Sequence, residues 1–321
     1  MEKFFYFAPM EGITGYIYRS AHSRHFRGAD CYVTPFIASN QSGRLKTRDK
    51  NDILPEHNQG IRLLPQILSS RAEDFILTAK GIKEFGYEEV NLNLGCPSPT
   101  VTSKKKGAGF LLHPEELDRF LDEIFRGLDM EISIKTRLGW SDPEEFFELV
   151  EIFNRYPVKE LIIHPRVRMD FYKNKPNLAA FEKGASKSRS VICYNGDLFT
   201  AEDIRGFCNQ FPQIGRLMIG RGLLRDPALL EKAEEGNKAV DPIRYRDFIQ
   251  DVCEGYREVI PGDKNVLFKM KELWGYLIDL FPGQEKAAKK IRKAKSLSEY
   301  ESVCRSVIQT EISSGSSAVL P

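Results

Sequence analysis

A polar strand that ends in a cysteine is the segment of this sequence that points most directly to chemistry. Residues 90–94 alternate Asn91 and Asn93 with leucines, so both amides face one side of the predicted strand. Buried amides are costly unless they find hydrogen-bonding partners. A glycine, Cys96 and a proline then end the strand and put a thiol at its tip, followed by a loop rich in Pro, Lys and Gly. This arrangement favours an active site over a small buried cysteine, which is the common alternative.

The elements that would position this thiol are strands alternating with helices. Short apolar segments predict eight strands, near 4–9, 31–37, 62–68, 89–95, 131–137, 160–165, 190–195 and 216–220. Helices are predicted between them, near 14–27, 71–85, 114–128, 143–155, 200–211 and 226–235, while connections 38–61 and 166–189 are less regular. This pattern indicates an α/β fold, the (β/α)8 TIM barrel. The alternative, an open doubly wound sheet, would need a GxGxxG motif after the first strand, and the sequence has none.

The pattern of predicted secondary structure changes in the later part of the chain. Strand-like segments stop, and helices are predicted at 242–259, 265–281, 284–295 and 297–311. We therefore predict a barrel domain over residues 1–238 and a small all-helical C-terminal domain over residues 239–312. The serine-rich segment 313–321 is expected to be a disordered tail.

Composition excludes several classes of protein. No apolar run approaches the roughly 20 residues that span a bilayer, and the aromatic N-terminus is typical of a first strand rather than of a signal peptide. The six cysteines show no CxxC pair, so neither a disulfide framework nor a zinc site is expected. We expect a cytoplasmic protein with no membrane association and no metal.

The C-terminal ends of barrel strands usually carry the chemistry, and here most of them are polar, cationic or glycine-rich. The loops Asn195-Gly196-Asp197 and Gly220-Arg221-Gly222 follow the seventh and eighth strands. Barrels often bind phosphate at these two loops through glycine backbone amides. Either loop alone is an ordinary turn, but together they favour a phosphorylated ligand. Lys135 and His164 end neighbouring strands near Cys96, although a lone histidine is more often structural than catalytic.

In combination these segments resemble the tRNA-dihydrouridine synthases. The match covers about residues 4 to 230 in the right order. Its motifs are Ala8-Pro9-Met10-Glu11-Gly12, Gln66, Asn91-Leu92-Asn93-Leu94-Gly95-Cys96-Pro97, Lys135-Thr136-Arg137-Leu138-Gly139-Trp140, His164, Asn195-Gly196-Asp197 and Gly220-Arg221-Gly222.

The resemblance implies an FMN-dependent enzyme that reduces uridine in tRNA to 5,6-dihydrouridine, with NADPH as the reductant. Its implied flavin contacts are Pro9 and Met10 against the ring, Gln66 and Lys135 at the polar ring edge, and His164 beside the ring. The implied contacts to the ribityl phosphate are Asn195, Gly196, Asp197, Gly220 and Arg221. Asn93 and Arg166 would contact the target base or the flavin.

The implied role of Cys96 is proton donation. Hydride from flavin N5 would go to C6 of uracil, and the resulting enolate-like charge needs a proton at C5. An unperturbed thiol has a pKa near ~8.5, so it is mostly protonated at neutral pH and can act as an acid. A nucleophilic cysteine would instead need a lowered pKa.

The implied tRNA partner requires cations, because the target base must leave the stack and the backbone must be held. Residues 286–295 carry six positive charges and no negative one, and we predict contacts from Lys289, Lys290 and Lys293. Lys104 begins a run of three lysines behind Cys96 and is a further candidate. A basic helix face is usually only a solvated surface. We expect a monomer.

Two other readings remain open. One is an FMN barrel oxidoreductase that acts on a free pyrimidine, similar to dihydroorotate dehydrogenase, which would have no need of a basic helical domain. The other is an RNA-binding protein that has lost catalysis, although the polar positions at the strand ends are all still occupied by polar residues.

Overall fold

The computed structural model describes residues 3–314, with side chains described to residue 312. The chain forms two compact units that alternate along the sequence. The first comprises residues 1–9, 30–197 and 212–219, and the second comprises 10–29, 198–211 and 220–321. The second unit thus includes two segments that precede the predicted boundary after residue 238, and that boundary itself stays a prediction.

Ten strand segments of the first unit form one parallel sheet. They are β1 (Phe4–Phe7), β2 (Cys31–Val33), β3 (Ile37–Ala38), β4 (Leu63–Leu64), β5 (Gln66–Leu68), β6 (Glu89–Leu94), β7 (Glu131–Arg137), β8 (Glu160–His164), β9 (Val191–Tyr194) and β10 (Arg216–Ile219). β1 pairs with both β2 and β10, and β2 and β3 pair with β4 and β5. Since β2–β3 and β4–β5 are each one interrupted barrel strand, the sheet closes into an eight-stranded barrel. The predicted fold is confirmed.

Prolines cause the two interruptions in the barrel strands. Pro35 lies between β2 and β3, and Pro65 lies between β4 and β5. Proline has no N–H to give to a ladder, so regular pairing stops there. Thr34 compensates, because its Oγ1 accepts from the backbone N–H of Gln66 at 2.9 Å and its own N–H donates to Leu64 O at 3.1 Å. The interruptions therefore leave the backbone around Gln66 hydrogen-bonded.

Fourteen α-helices are present in the described residues. They are α1 (Tyr16–His25), α2 (Thr47–Ile53), α3 (Ala72–Lys83), α4 (Pro99–Thr102), α5 (Pro114–Gly127), α6 (Glu145–Phe153), α7 (Leu178–Lys187), α8 (Ala201–Gln210), α9 (Arg221–Arg225), α10 (Leu229–Glu235), α11 (Pro242–Val259), α12 (Asp263–Leu277), α13 (Glu285–Lys293) and α14 (Leu297–Ser314). None of them is both long and apolar enough to cross a membrane.

Several helices differ from the sequence-based expectation. α2 and α7 occupy the two connections predicted to be less regular, and α7 begins at a cap in which Asn177 Oδ1 accepts from Ala180 N at 2.9 Å. The helix predicted over 226–235 corresponds to α10, which begins three residues later, and the short α9 precedes it as a separate helix. α14 continues to Ser314, so the predicted tail begins within a helix, and residues 315–321 lie outside the described part of the chain.

The N-terminal end of the barrel is closed by a buried polar group. Tyr6 Oη donates to Glu160 Oε2 at 2.8 Å, and Arg216 Nη1 donates to the same oxygen at 2.5 Å. Burial raises the pKa of Glu160, and the hydrogen bonds from Tyr6 and Arg216 partly offset this. The polar groups here bind one another, which leaves the opposite end of the barrel for ligands.

The second unit is held by packing between its long helices and by a buried carboxylate. Asp226 accepts from Lys232 Nζ at 2.7 Å, from Tyr245 Oη at 2.8 Å and from the backbone N–H of Ala228 at 3.0 Å. These bonds tie α10 to α11. Further along, Trp274 Nε1 of α12 donates to Tyr300 Oη of α14 at 2.7 Å inside the core.

Candidate active site

A buried network of amides fills the upper part of the barrel. Gln66 Nε2 donates to Asn91 Oδ1 at 2.8 Å, and Asn93 Nδ2 donates to Gln66 Oε1 at 2.7 Å. Asn91 Nδ2 donates to Ser133 Oγ at 3.0 Å. The sequence indicated that the two asparagines need partners, and these partners lie on the neighbouring strands. Each amide nitrogen carries a second hydrogen, so Gln66 and Asn93 still have donor capacity for a ligand.

The same network fixes the position of Cys96. Asn93 Oδ1 accepts from the backbone N–H groups of Gly95 at 3.1 Å and Cys96 at 3.0 Å, which forms a tight turn at the tip of β6. Cys96 O accepts from Ala108 N at 3.1 Å. Gly107 has φ of +56°, and a Cβ there would lie 2.8 Å from Cys96 O, so only glycine fits. The partly exposed thiol is therefore held by a rigid backbone.

The segment after Cys96 was expected to be a loop, and it is instead built from α4 and a 3-10 helix over Gly107–Leu112. The three lysines within it have different surroundings. Lys105 Nζ pairs with Glu116 at 2.9 Å. Lys106 is half-buried, and burial lowers its pKa, with Asp74 opposing that effect. Lys104 is exposed, and its predicted contact with tRNA stays a prediction.

Lys135 lies on β7 directly beside Asn93 of β6. Its pKa is lowered from 10.5 to about 8, mainly by burial and also by the positive charge of Arg137, while Cys193 and Cys96 oppose the shift. Its Nζ makes no hydrogen bond or ion pair with any residue in the described range 3–314. A desolvated ammonium without a partner is suited to an anionic or electron-rich ligand.

His164 and Arg166 form a second polar group at the end of β8. Arg166 Nη1 donates to His164 Nε2 at 3.1 Å, so that ring nitrogen is an acceptor and the ring proton is on Nδ1. Burial lowers the pKa of His164 well below its ordinary value, and Arg137, Lys135 and Arg166 lower it further. The imidazole is thus neutral at pH 7.

The guanidinium of Arg166 is already paired inside the protein. It binds both carboxylate oxygens of Asp197, and its Nε donates to Asn174 O at 2.5 Å. The side chain of Arg166 is almost fully buried. Its predicted contact with base or flavin stays a prediction, and the geometry also gives it a structural role in tying the end of β8 to the loop after β9.

Arg137 is a mouth residue to which the sequence analysis gave no role. Its Nε donates to Gly95 O at 2.9 Å, its Nη1 donates to Val167 O at 3.0 Å, and it lies 5.3 Å from the Tyr172 ring centre. Burial lowers its pKa, with Arg166 adding to the effect and Tyr172 opposing it. The signal was present in the sequence, because Arg137 is two residues from Lys135 and faces the same side of the strand.

The predicted phosphate loops are distributed over the two units. In the first, Asn195 Nδ2 donates to Met218 O at 2.7 Å, and a Cβ on Gly196 would lie 1.9 Å from Tyr194 Oη. In the second, Gly220 directly precedes α9 and the Arg221 guanidinium lies 5.2 Å from the Phe199 ring centre. Of the residues predicted to meet the flavin ring, Pro9 belongs to the first unit and Met10 to the second.

A thiol, a desolvated lysine and a neutral histidine lie at the C-terminal end of a parallel barrel, an arrangement typical of a barrel enzyme. Comparison with known proteins identifies the class of enzyme as an oxidoreductase. The family profile described as Dihydrouridine synthase (Dus) matches residues 6–313. The chain belongs to the dihydrouridine synthase family.

Individual relatives agree with that assignment. A probable tRNA-dihydrouridine synthase of Rhodobacter capsulatus is 27% identical over 280 residues, covering 84% of each chain. The tRNA-dihydrouridine(16) synthase of Vibrio vulnificus is 26% identical over 310 residues, covering 92% of this chain and 93% of the relative. Morphinone reductase in complex with tetrahydroNAD is a solved structure with a similar fold, with TM-score 0.50 and 13% identity over 74% of this chain and 88% of that one.

Proposed function

We propose that this protein reduces the C5–C6 double bond of specific uridines in tRNA, using FMN and NADPH, with Cys96 as the proton donor. The observation that carries the proposal is the partly exposed thiol at the tip of β6, held beside Lys135 at the barrel mouth. Membership of the dihydrouridine synthase family supports the reaction type.

The donors at the mouth suit the polar edge of a flavin. Lys135 supplies an unpartnered ammonium, and Gln66 has an amide hydrogen beyond its bond to Asn91. Gly196 has no room for a Cβ because the Tyr194 side chain occupies that space. We infer that Pro9, Met10 and His164 also contact the ring, and that the phosphate binds at Asn195, Gly196, Asp197, Gly220 and Arg221.

FMN, when bound, supplies the hydride for uracil C6, and NADPH is the reductant of the flavin. The chain itself has to provide the proton for C5. Cys96 is suited to this task because its backbone is fixed by Asn93 and Gly107, which holds the thiol at the strand tip. His164 is neutral and hydrogen-bonded to Arg166, so it orients a ligand rather than donating a proton. Asn93 has a second amide hydrogen for a carbonyl of the base.

The tRNA has to present an unstacked base to this site. Three of the four lysines of α13, Lys289, Lys290 and Lys293, are the predicted contacts, and all three are exposed in the second unit. Residue Glu285 is the one acidic residue of α13, at its first turn. We infer that this helix contacts the phosphate backbone of tRNA and contributes a salt-dependent part of the affinity.

The test uses purified protein and tRNA that lacks dihydrouridine. We expect the protein to bind FMN, to be reduced by NADPH and to form dihydrouridine. The Cys96→Ala variant should keep FMN binding and its reduction by NADPH but lose nearly all product. Cys208→Ala, at another partly exposed cysteine, is the matched control and should retain activity. Unchanged product formation by Cys96→Ala would refute the role of the thiol.

A further inference from the structure

Arg168 is a half-buried cation that the proposed function leaves without a role. Its guanidinium lies between two aromatic rings, 4.6 Å from the Trp140 ring centre and 4.7 Å from that of Phe171. A guanidinium stacks well on aromatic faces, so the rings hold its plane in one orientation. The Trp140 ring therefore packs against a charge.

No carboxylate neutralises this charge within the described residues 3–314. Arg168 Nε is buried without a hydrogen-bond partner. Its Nη2 lies 3.4 Å from Thr102 Oγ1 and its Nη1 lies 3.6 Å from Met169 Sδ, and both are weak contacts. Asp170, the nearest acid along the chain, already accepts from Val167 N and Asn174 Nδ2. A desolvated guanidinium with unused donors is a binding site for an anion.

The backbone around Arg168 is fixed as firmly as its side chain. Arg168 N donates to Gly139 O at 2.8 Å, and Met169 N donates to Trp140 O at 2.9 Å, so two consecutive backbone groups bind this segment to the loop after β7. Phe171 has φ of +50°, a conformation that is strained for a bulky residue. Such strain is kept where the surroundings impose it, often at binding sites. Here it accompanies the ring placed over the guanidinium.

The position of Arg168 relates it to Cys96. Thr102, which its Nη2 approaches, belongs to α4, the short helix that directly follows the Cys96 turn. The other cations at the strand ends are used differently: Arg166 is paired with Asp197, and Arg137 donates to backbone carbonyls. Arg168 is therefore the arginine of this group whose donors are best placed to meet a substrate.

We propose that Arg168 binds a phosphate next to the target uridine and positions that nucleotide over Cys96. The proposal rests on the proposed function, because it takes the RNA backbone as the source of the phosphate. Arginine suits the task better than lysine, since its planar fork can bind two phosphate oxygens and stack between rings at the same time. Removing it should weaken tRNA binding without affecting the flavin.

The test compares wild type with Arg168→Gln, Arg168→Lys and the matched control Arg126→Gln, whose exposed arginine pairs with Asp122 on α5. Fluorescence anisotropy measures tRNA binding from low to moderate salt. For Arg168→Gln we expect affinity on the order of tenfold lower and a log–log salt slope reduced by about one. Arg168→Lys should recover part of the affinity, and the control should match wild type.

A second measurement locates the contact. Two tRNAs are compared with unmodified tRNA, each with a neutral methylphosphonate at one of the two phosphates that flank the modified uridine. One of the two should bind wild type more weakly than unmodified tRNA does. Arg168→Gln should show no further loss at that position, whereas a folding defect would leave the two losses additive. Additive losses at both positions would overturn the proposal.

The same variants show whether Arg168 binds a phosphate of the nicotinamide cofactor instead. Flavin content and the concentration of NADPH needed to reduce the flavin should be unchanged in Arg168→Gln. A raised NADPH requirement with unaltered tRNA affinity would overturn the proposal and assign the guanidinium to a dinucleotide phosphate. If wild type forms no dihydrouridine and does not bind tRNA, the proposed function fails and this proposal with it. If wild type does both and Arg168→Gln equals it, only the assignment of Arg168 fails.

Discussion

Replacing Lys135 with methionine should stabilise the ligand-free protein while weakening its affinity for a flavin. The ammonium is desolvated, and no described residue accepts a hydrogen bond from it. Burial lowers its pKa from 10.5 to about 8, so folding disfavours the charged form. At about 1.4 kcal/mol per pKa unit, the penalty at pH 7 is about 3 kcal/mol. Methionine has similar length and no charge, so relief of about 1–3 kcal/mol is expected.

The sign of the pH dependence follows from the same shift. Because the pKa is lower in the folded state, the unfolded chain binds more protons as the pH rises from about 8 towards 10.5. Wild type therefore carries the full penalty below pH 8 and loses it progressively above that pH. The stability advantage of Lys135→Met should be largest near pH 7 and should shrink by pH 10.

Urea unfolding of the flavin-free proteins at pH 7, 8, 9 and 10 measures this difference, and flavin titration measures the loss of affinity. Lys80→Met is the matched control, because Lys80 is an exposed lysine of the same unit. Its change in stability should be small and independent of pH. A Lys135→Met variant that is less stable than wild type at pH 7, or whose difference in stability does not change with pH, would show that the buried ammonium does not destabilise the fold.

Three further predictions concern the phosphate loops and the basic helix. Gly196→Ala should abolish FMN binding or destabilise the fold, because its Cβ would lie 1.9 Å from Tyr194 Oη; near-normal flavin content would contradict this. Asp197→Asn should lower the free energy of unfolding by about 3 kcal/mol, since it leaves the buried Arg166 unpaired, and denaturant titration with an unchanged midpoint would exclude it. Reversing the charge of Lys289, Lys290 and Lys293 on α13 should weaken tRNA binding and flatten its salt dependence, and unaltered affinity in a filter-binding assay would argue against that contact.

The alternation of strands and helices was enough to predict the barrel, because each barrel strand is a short apolar run with its own local signal. Some of the details that were missed depend on partners distant in sequence. The breaks at Pro35 and Pro65 are visible as prolines, but their effect depends on whether Thr34 can bond to the next strand. α7 was missed although Asn177 is a good cap, since its apolar run is short.

For the site, the need of the strand asparagines for hydrogen-bonding partners could be predicted, and the surroundings of Arg168 could not. Asn91 and Asn93 follow the strand period, so their need for partners could be inferred before the partners were known. Arg168 lies outside any strand, and its proposed role depends on its contacts with Trp140 and Phe171, which lie in two different loops. Neither spacing nor composition shows that a charge lies between two rings.

The central claim is that this barrel reduces uridine in tRNA with Cys96 as the acid. Its most direct test is dihydrouridine mapping of tRNA from cells that lack the protein, complemented with wild type or with Cys96→Ala. We expect at least one uridine to lose the modification without the protein, to regain it with wild type and to stay unmodified with Cys96→Ala. An unchanged dihydrouridine map in cells that lack the protein, or full restoration by Cys96→Ala, would contradict it.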